Sequence, residues 1–309
     1  MILSVSRRTD IPAHYAEWFL NRLKAGYVLV RNPVNHAQIS RVTLSPDVID
    51  CIVFWSKDPR NLLPYLPEID RMGYRYYFQF TLTPYGKDLE PKLRKKPDIE
   101  QTLLTLSEKI GSERIVWRYD PIILNDTWNI EKHKEQFARM CEKFSHAVRS
   151  ITISFVDRYP KLKTDLIRPL TSQEMQELGK WIGETAAKYH LPVHTCCETE
   201  DLTQYGVTKA GCINAEIVEE LADRHININR DKNQRPGCGC CESFDIGVYN
   251  TCPYGCVYCY ANFSPESTLH NMQQYDPNGE LLIGKVLEGE PIRERKAQSN
   301  LDEQLSLFL

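Results

Sequence analysis

The sequence of 309 residues lacks the features that mark several large classes of protein. It contains no run of the ~18–20 apolar residues that a membrane-spanning helix needs. Its 38 lysines and arginines are balanced by 41 aspartates and glutamates, a net charge of −3, which excludes a strong overall attraction to nucleic acid or anionic lipid. The first residues, MILSVSRRTDIP, hold neither a basic segment nor a long apolar one. We therefore expect no membrane association, no secretory signal and a cytoplasmic location.

Cysteine, in contrast, is abundant and clustered. Nine of the 11 cysteines lie between residues 196 and 259, namely Cys196, Cys197, Cys212, Cys238, Cys240, Cys241, Cys252, Cys256 and Cys259. In a sequence without an export signal, clustered thiols indicate metal or redox chemistry rather than disulfides. Thiolates select zinc, Cu(I) or iron–sulfur clusters. The other two, Cys51 and Cys141, lie in apolar surroundings and are expected to be buried as small hydrophobic residues.

The order of the apolar segments predicts an α/β protein. Runs rich in β-branched and aromatic residues predict strands at residues 2–6, 51–55, 76–82, 115–119, 150–156, 192–196, 226–229 and 245–249. Helical patterns lie at residues 15–25, 99–110, 130–145, 172–189 and 215–225, and a hairpin pairs 27–31 with 39–43. Parallel strands need such crossover helices, so the pattern predicts a complete or partial (β/α) TIM-like barrel. We expect residues 1–263 to form it, with a cysteine-rich part at 194–263, and residues 264–309 to form a loose polar extension and tail.

Polar side chains follow the predicted strands in a repeated way. The carboxyl ends of barrel strands form the catalytic face, so these residues are predicted to converge there: Arg7, Arg8, Asp10, Lys57, Asp58, Arg118, Asp120, Asp157 and Glu198. The candidates for orienting a cofactor or substrate are Arg7, Arg8, Asp10, Arg118 and Asp120. The arginines suit phosphate or carboxylate groups. The alternative is that some of these residues only form turns or cap helices.

One cysteine motif lies near the carboxyl end of the predicted barrel. Residues 250–261 read NTCPYGCVYCYA, which gives Cys252, Cys256 and Cys259 the spacing C-x3-C-x2-C. Three thiolates on one loop can hold three irons of a [4Fe–4S] cube and leave the fourth iron open to a non-protein ligand. Gly255 lets the backbone turn tightly around such a cluster. Structural zinc sites use four ligands, so this triplet fits zinc poorly.

This motif, with Tyr258 before its last cysteine, resembles the radical S-adenosylmethionine superfamily, and the run VYNTCPYGCVYCYAN is most similar to its spore photoproduct lyase branch. The resemblance implies a [4Fe–4S] cluster on the three cysteines and S-adenosylmethionine on the open iron. It also implies a 5′-deoxyadenosyl radical and an electron donor such as flavodoxin or ferredoxin. Tyr258 would line the adenine or serve only in packing. Members of the superfamily usually carry the triplet after the first strand, so the resemblance implies a circularly permuted barrel here. The usual Gly-Gly-Glu segment has no match, and SRRTD stands in its place.

Over nearly its full length, the chain resembles an uncharacterised bacterial family, domain of unknown function 1848. The matching segments include SRRTDIPA, VLVRNP, IVFWSKDP, RYDPI and CGCC. This resemblance favours a second site with four cysteine ligands, which are Cys196, Cys212, Cys238 and Cys240. A second [4Fe–4S] cluster would suit this site, and a structural zinc is the alternative. Cys197 and Cys241 would then point away.

The sequence ends with a separate motif. Residues Gln304, Leu305, Ser306, Leu307 and Phe308 resemble the pentapeptide with which bacterial repair and replication proteins bind the DNA sliding clamp. A disordered tail can dock such apolar side chains into pockets of a partner. The alternative is a tail that folds back onto the barrel.

These observations favour a radical S-adenosylmethionine enzyme that acts on DNA or a nucleotide, in repair, and is linked to the clamp. One alternative is radical modification of a small metabolite, a peptide or tRNA. The other is a non-enzymatic metal-binding module that recruits the clamp.

Overall fold

Eight parallel strands form the main sheet of the protein. The computed structural model describes residues 1–157 and 164–302. Its strands are β1 Ile2–Val5, β2 Tyr27–Arg31, β3 Ile39–Thr43, β4 Cys51–Ser56, β5 Tyr76–Thr81, β6 Ile115–Ile122, β7 Ser150–Phe155, β8 Val193–Thr195, β9 Val207–Lys209, β10 Ser243–Asp245 and β11 Ile292–Glu294. Its α-helices are α1 Ile11–His14, α2 Ala16–Ala25, α3 Leu66–Arg71, α4 Lys96–Ile110, α5 Ile130–Phe144, α6 Ser172–Ala187, α7 Ala215–Ala222 and α8 Pro265–Gln273.

The main sheet has the strand order β10-β1-β4-β5-β6-β7-β8-β9, and every neighbouring pair is parallel. Helices α3 to α6 connect the strands from β4 to β8 in turn. This alternation confirms the predicted TIM-like α/β fold, although no pairing between β9 and β10 closes the sheet within residues 1–157 and 164–302. Strand β10, which precedes the cysteine triplet, pairs with β1, as the predicted circular permutation requires.

The two faces of the sheet are covered differently. Side chains alternate between the faces along a strand. One set, including Phe78 and Trp117, packs against the helices in the main hydrophobic core. The other set, including Val53, Tyr77 and Val116, packs against Cys212 and its neighbours in the cysteine-rich segment. We call this second face the inner face. The cysteine-rich segment therefore lies over the inner face of the sheet.

Two predicted strands are wrong. Residues 226–229 form no strand and make a single bridge, between Ile226 and Leu301, while β9 is the strand that pairs with β8. The strand predicted at 245–249 ends at Asp245, because the carboxylate of Asp245 accepts hydrogen bonds from the backbone N–H of Gly247 (3.0 Å) and Arg7 (2.8 Å) and so bends the chain over β1. The predicted 27–31 and 39–43 hairpin is confirmed as β2 and β3.

The prediction of a loose extension from residue 264 is wrong for its described part, 264–302. Strand β11 pairs in parallel with β3, and helix α8 follows the cysteine loop. The amino group of Met1 donates to the Gln298 carbonyl over 2.7 Å, and Asp50 accepts a hydrogen bond from the Ser299 hydroxyl over 2.7 Å. The clamp-like motif at Gln304–Phe308 lies outside the described residues. In the part of the chain that the structure describes, no helix is long and apolar enough to cross a membrane.

Candidate functional site

The C-x3-C-x2-C loop follows β10 at the carboxyl end of the sheet. Its first and last cysteines are tied together by Asn262, which accepts from the Cys252 N–H over 3.0 Å and donates to the Cys259 Sγ over 3.4 Å. The Cys259 N–H donates to the Cys256 carbonyl over 3.0 Å. Gly255 has φ +66°, a left-handed conformation that favours glycine. The loop is thus a closed turn that carries three thiols.

Two of the three thiols of this loop have raised pKa values. Burial raises the pKa of Cys256 to about 12 and raises the pKa of Cys252 well above its usual value. Both thiols are therefore protonated at neutral pH in the metal-free chain. Metal binding displaces such protons because thiolates are the ligands. Three sulfurs on one loop fit the three protein-bound irons of a cube.

A buried network of charges lies beside Cys256. The carboxylate of Glu90, 1% exposed, accepts from the Lys57 Nζ over 2.8 Å and also from the Lys96 Nζ and the Tyr258 hydroxyl. Burial acts to raise the pKa of Glu90, but the charges and hydrogen bonds of the two lysines outweigh it and lower the pKa to about 2. The two lysines and one carboxylate leave one positive charge, which favours a thiolate at Cys256. Tyr258, predicted to line the adenine, is buried in this network.

The Asp10 carboxylate connects the start of α1 to the end of β4, next to Lys57 of this network. It accepts from the Ala13 N–H (3.0 Å), where it caps α1, from the Ser56 hydroxyl (2.7 Å) and from the Lys57 N–H (2.8 Å). Burial raises the pKa of Asp10 to about 6. Since its oxygens are occupied by the chain, Asp10 positions the residues around it.

Four further cysteines meet over the inner face. The Sγ atoms of Cys196 and Cys212 lie 2.8 Å apart. Hydrogen bonds from the Cys212 and Cys238 thiols lower the pKa of Cys240. These are the four cysteines that the family resemblance favours as a second site. A Cβ at Gly211 would overlap the Gly239 backbone, so glycine permits the close approach of the two segments.

The neighbouring cysteines make other contacts. The Cys197 thiol donates to the Pro236 carbonyl over 3.5 Å, and the buried Cys241 donates its N–H to the Ile213 carbonyl over 2.9 Å. Within residues 1–157 and 164–302, no three His, Cys, Asp or Glu side chains surround a single point as a mononuclear ion requires.

Arg118 and Asp120 lie against this second site, which we call the four-cysteine site. The buried Arg118 guanidinium donates from Nη1 to the Cys212 Sγ over 2.8 Å and to the Gln79 Oε1 over 3.3 Å. Its Nε donates to the Asp120 Oδ2 over 3.1 Å. Hydrogen bonds from a cation to sulfur stabilise a thiolate. Arg118 therefore supports a thiolate at Cys212, whereas Asp120 pairs with Arg118 and its negative charge disfavours a thiolate at Cys196.

Arg7 and Arg118 flank the same aromatic ring. The Cζ atoms of both guanidinium groups lie 5.2 Å from the Trp55 ring centroid. The Arg7 Nη2 is buried, and no hydrogen-bond partner for it exists among the described residues. Asp245 cannot supply one readily, because its oxygens already accept from the hydroxyls of Ser4 (2.7 Å) and Ser6 (2.6 Å). Arg7 as a whole is partly exposed, so the buried Nη2 is the part of its guanidinium that lacks an acceptor.

The other predicted polar residues are placed as follows. The Arg8 Nη1 donates to the Gly247 carbonyl over 3.2 Å, Asp58 pairs with Arg94, and Asp157 pairs with Arg235. The Glu198 carboxylate accepts from the Phe155 N–H over 2.9 Å, and burial raises its pKa to about 7.

An open cavity of about 1070 Å³ adjoins the cysteine loop. Cys259 lies in its wall beside three aromatic side chains, Tyr249, Tyr260 and Phe263, which are 37%, 47% and 45% exposed. The remainder of the wall includes Arg31, paired with Glu290. The cavity thus offers exposed rings next to a candidate cluster ligand.

The chain is similar to a known protein family in sequence and to a solved structure in fold. A family model described as Domain of unknown function (DUF1848) matches residues 2–261. The chain belongs to the DUF1848 family. No curated protein matches this DUF1848 chain in sequence. Among solved structures, HydG, a maturase of the [FeFe]-hydrogenase, matches 68% of this chain and 56% of its own, at 10% identity and a TM-score of 0.34. The chain thus spans little more than half the length of HydG, and a likeness of this degree does not bear on function.

Sequence reasoning missed several site residues of this DUF1848 protein. Glu90, Lys96 and Trp55 were not predicted to belong to the site, nor was Asp245 as an acceptor. Trp55 is the last residue of a predicted strand, so its position along the chain could have identified it. Asp245 could not be identified in this way, because the predicted strand 245–249 begins there, whereas β10 ends at Asp245. Glu90 lies between strands in a polar loop and carries no pattern that distinguishes it from a solvated residue.

Proposed function

We propose that this DUF1848 protein is a radical S-adenosylmethionine enzyme with a [4Fe–4S] cluster on Cys252, Cys256 and Cys259. The observation that carries the proposal is the closed loop with three thiols at the carboxyl end of a parallel sheet. A cube has four irons, so three thiolates leave one iron for a non-protein ligand. When bound there, S-adenosylmethionine supplies a 5′-deoxyadenosyl radical on one-electron reduction.

The residues of this chain would hold and shape that site. Asn262 fixes the first and last thiols relative to each other, and Lys57 and Lys96 place positive charge beside Cys256. Burial by Tyr258 and its neighbours limits the access of water to the loop. The two lysine charges favour a thiolate at Cys256, whereas burial disfavours thiolates in the metal-free chain, so bound metal is needed to hold the deprotonated form.

We propose a second [4Fe–4S] cluster at the four-cysteine site, with zinc as the alternative. Support comes from the 2.8 Å contact of the Arg118 Nη1 with the Cys212 Sγ and from the buried, unpartnered Arg7 Nη2. Four thiolates around a centre of charge +2 leave two negative charges, which Arg7 and Arg118 offset in part, because Asp120 already pairs with Arg118. Zinc and iron–sulfur centres both carry this charge, so metal content decides between them.

We propose a nucleotide or DNA as the substrate, in a repair reaction, with the sliding clamp as a partner of Gln304–Phe308. The exposed rings of Tyr249, Tyr260 and Phe263 beside Cys259 support a nucleic-acid substrate, because aromatic side chains stack on unpaired bases. Salt-dependent binding of single-stranded DNA separates this substrate class from an uncharged metabolite.

The experiment that tests the radical function compares the wild type with Cys256→Ala and Cys141→Ala after anaerobic reconstitution. Iron, sulfide and zinc are measured, then S-adenosylmethionine and dithionite are added. We expect 5′-deoxyadenosine from the wild type and from Cys141→Ala, whose thiol lies in the core, and none from Cys256→Ala. An iron-free wild type that yields no 5′-deoxyadenosine would refute the proposal and favour the metal-binding module.

A further inference from the structure

Strand β5 places two polar side chains against one ligand of the four-cysteine site. Tyr77 and Gln79 lie two positions apart, so both point to the inner face of the sheet, where they are buried. The Tyr77 hydroxyl and the Gln79 Nε2 donate to the Cys212 carbonyl over 2.8 Å and 2.7 Å. We propose that Gln79 is a positioning residue that directs a hydrogen bond from Arg118 onto the Cys212 sulfur. The inference rests on the proposed function, because its consequence requires an iron–sulfur cluster at the four-cysteine site.

Gln79 does more than satisfy the Cys212 carbonyl. In the sheet it lies between Trp55 of β4 and Val116 of β6, and it is 1% exposed. A buried amide costs free energy unless both its donor and its acceptor are used. The carbonyl alone does not account for Gln79, because the Tyr77 hydroxyl already donates to that oxygen. The further role of the amide therefore lies on its acceptor side.

The acceptor side of the Gln79 amide faces Arg118. The Arg118 Nη1 donates to the Gln79 Oε1 over 3.3 Å and to the Cys212 Sγ over 2.8 Å. The orientation of the amide is determined, because a carbonyl can only accept and a guanidinium can only donate. The two hydrogens of Nη1 lie at fixed angles in one plane, so an acceptor for one of them sets the direction of the other. One amide thus holds both the backbone of the ligand and the donor to its sulfur.

Asp120 holds the other side of the same guanidinium. The Arg118 Nε donates to the Asp120 Oδ2 over 3.1 Å, and Nη2 donates to the same oxygen. Hydrogen bonds between two charged groups are stronger than those to a neutral thiol. Without the Gln79 Oε1, we therefore expect the guanidinium to turn toward Asp120 and its hydrogen bond to the Cys212 sulfur to weaken.

Tyr77 offers a matched comparison on the same strand and the same face. Its hydroxyl donates to the Cys212 carbonyl and accepts from the Asn214 N–H over 3.3 Å. Within the described part of the chain, it makes no hydrogen bond to Arg118. Removing this hydroxyl therefore disturbs the backbone of Cys212 and leaves the donor to its sulfur in place.

The consequence is a reduction potential that depends on β5. Hydrogen bonds to the ligand sulfurs help to set the potential of an iron–sulfur cluster. Reduction by one electron makes the sulfurs more negative, so a donor on the Cys212 Sγ stabilises the reduced form and raises the midpoint potential. We expect Gln79→Met and Arg118→Met to lower the midpoint of the four-cysteine cluster, and Tyr77→Phe to leave it near that of the wild type. Gln79→Met removes no charge and should leave the midpoint of the loop cluster unchanged.

The test is an anaerobic redox titration of the full chain with dithionite after reconstitution, monitored by electron paramagnetic resonance. The variant Cys256→Ala, which removes a ligand of the loop cluster, identifies the signal of the four-cysteine cluster. Circular dichroism and iron content show whether each variant is folded and loaded.

A second measurement detects the hydrogen bond itself. After reconstitution in D2O, pulsed electron paramagnetic resonance measures the coupling of exchangeable deuterons to the four-cysteine cluster. The coupling that Arg118→Met removes belongs to the guanidinium. We expect Tyr77→Phe to keep this coupling and Gln79→Met to weaken it. Gln79→Glu retains an acceptor for Arg118 and should therefore keep it.

An unchanged midpoint in Gln79→Met, equal shifts in Gln79→Met and Tyr77→Phe, or loss of the coupling in Gln79→Glu would overturn the inference. Zinc at the four-cysteine site would overturn it together with the proposed second cluster, while 5′-deoxyadenosine formation would persist. If the radical function itself fails, the wild type yields no 5′-deoxyadenosine, yet the signal of the four-cysteine cluster still tests the role of Gln79. The two failures are therefore distinguishable.

Discussion

The buried carboxylate of Glu90 provides a quantitative test of how the cysteine loop is supported. Glu90 is 1% exposed and binds Lys57, Lys96 and Tyr258. Its pKa falls from 4.5 to about 2, a difference that corresponds to about 3 kcal/mol of stability at neutral pH. Glu90→Gln would also leave two buried lysines without a carboxylate. We therefore expect the free energy of unfolding of the Glu90→Gln variant at pH 7 to be about 3 kcal/mol lower than that of the wild type.

The pH dependence follows from the lowered pKa. The contribution of Glu90 is fully present above about pH 4.5, the unfolded value, and is lost as pH falls through about 2, the folded value. The difference between wild type and Glu90→Gln should therefore shrink by about 1 kcal/mol on going from pH 7 to about pH 3.5. Urea denaturation of the metal-free chain, followed by circular dichroism at both pH values, measures this difference.

Glu174 supplies a matched control. Its pKa is also lowered to about 2, first through its hydrogen bond with Arg168, but this pair lies on the surface and Arg168 is 51% exposed. Gln at this position keeps the capping box with Thr171. We expect Glu174→Gln to lower the free energy of unfolding by less than about 1 kcal/mol. Equal effects of the two substitutions would refute the reasoning that burial makes Glu90 important.

Two further substitutions test other parts of the site. Gly211→Ala places a Cβ against the Gly239 backbone, so we expect the reconstituted protein to lose the metal of the four-cysteine site and to keep 5′-deoxyadenosine formation. The control Gly86→Ala, whose Cβ would meet only the Asp88 carboxylate, should keep both the metal and the activity. Full metal content in Gly211→Ala would contradict this expectation. At Glu198, whose pKa is raised by burial to about 7, the stability of the protonated form is present below about pH 4.5 and lost as pH rises through about 7. Glu198→Gln keeps an acceptor for the Phe155 N–H. Its melting temperature should therefore be ~2–4 °C above that of the wild type at pH 8 and equal to it at pH 4.5. Thermal melts at the two pH values can confirm or refute this result.

The parts of the site that the sequence predicts are those encoded locally. The C-x3-C-x2-C spacing, Gly255 and the strand-end residues Arg7 and Arg118 can be identified from short segments, because the chain alone brings them to the end of a strand. The alternation of strands and helices likewise predicts a parallel sheet. The pairing of β10 with β1 agrees with the circular permutation that the superfamily resemblance implies.

The parts that could not be predicted depend on contacts between distant segments. Glu90 contacts Tyr258, 168 positions away, and nothing in the loop around Glu90 indicates that it is buried. Residues 226–229 have a β-branched pattern, but among residues 1–157 and 164–302 they pair only through the Ile226–Leu301 bridge, so they remain outside the sheet. The extension after residue 264 is polar, yet it is held to the amino terminus by backbone and carboxylate hydrogen bonds that composition does not reveal.

The central claim is that the loop of Cys252, Cys256 and Cys259 holds a cluster whose fourth iron binds S-adenosylmethionine. The most direct measurement is pulsed electron paramagnetic resonance of the reduced, reconstituted protein with S-adenosylmethionine labelled with nitrogen-15 at its amino group. The account predicts a nitrogen-15 coupling to the loop cluster in the wild type and its loss in Cys256→Ala. A loaded loop cluster that shows no such coupling would contradict the account.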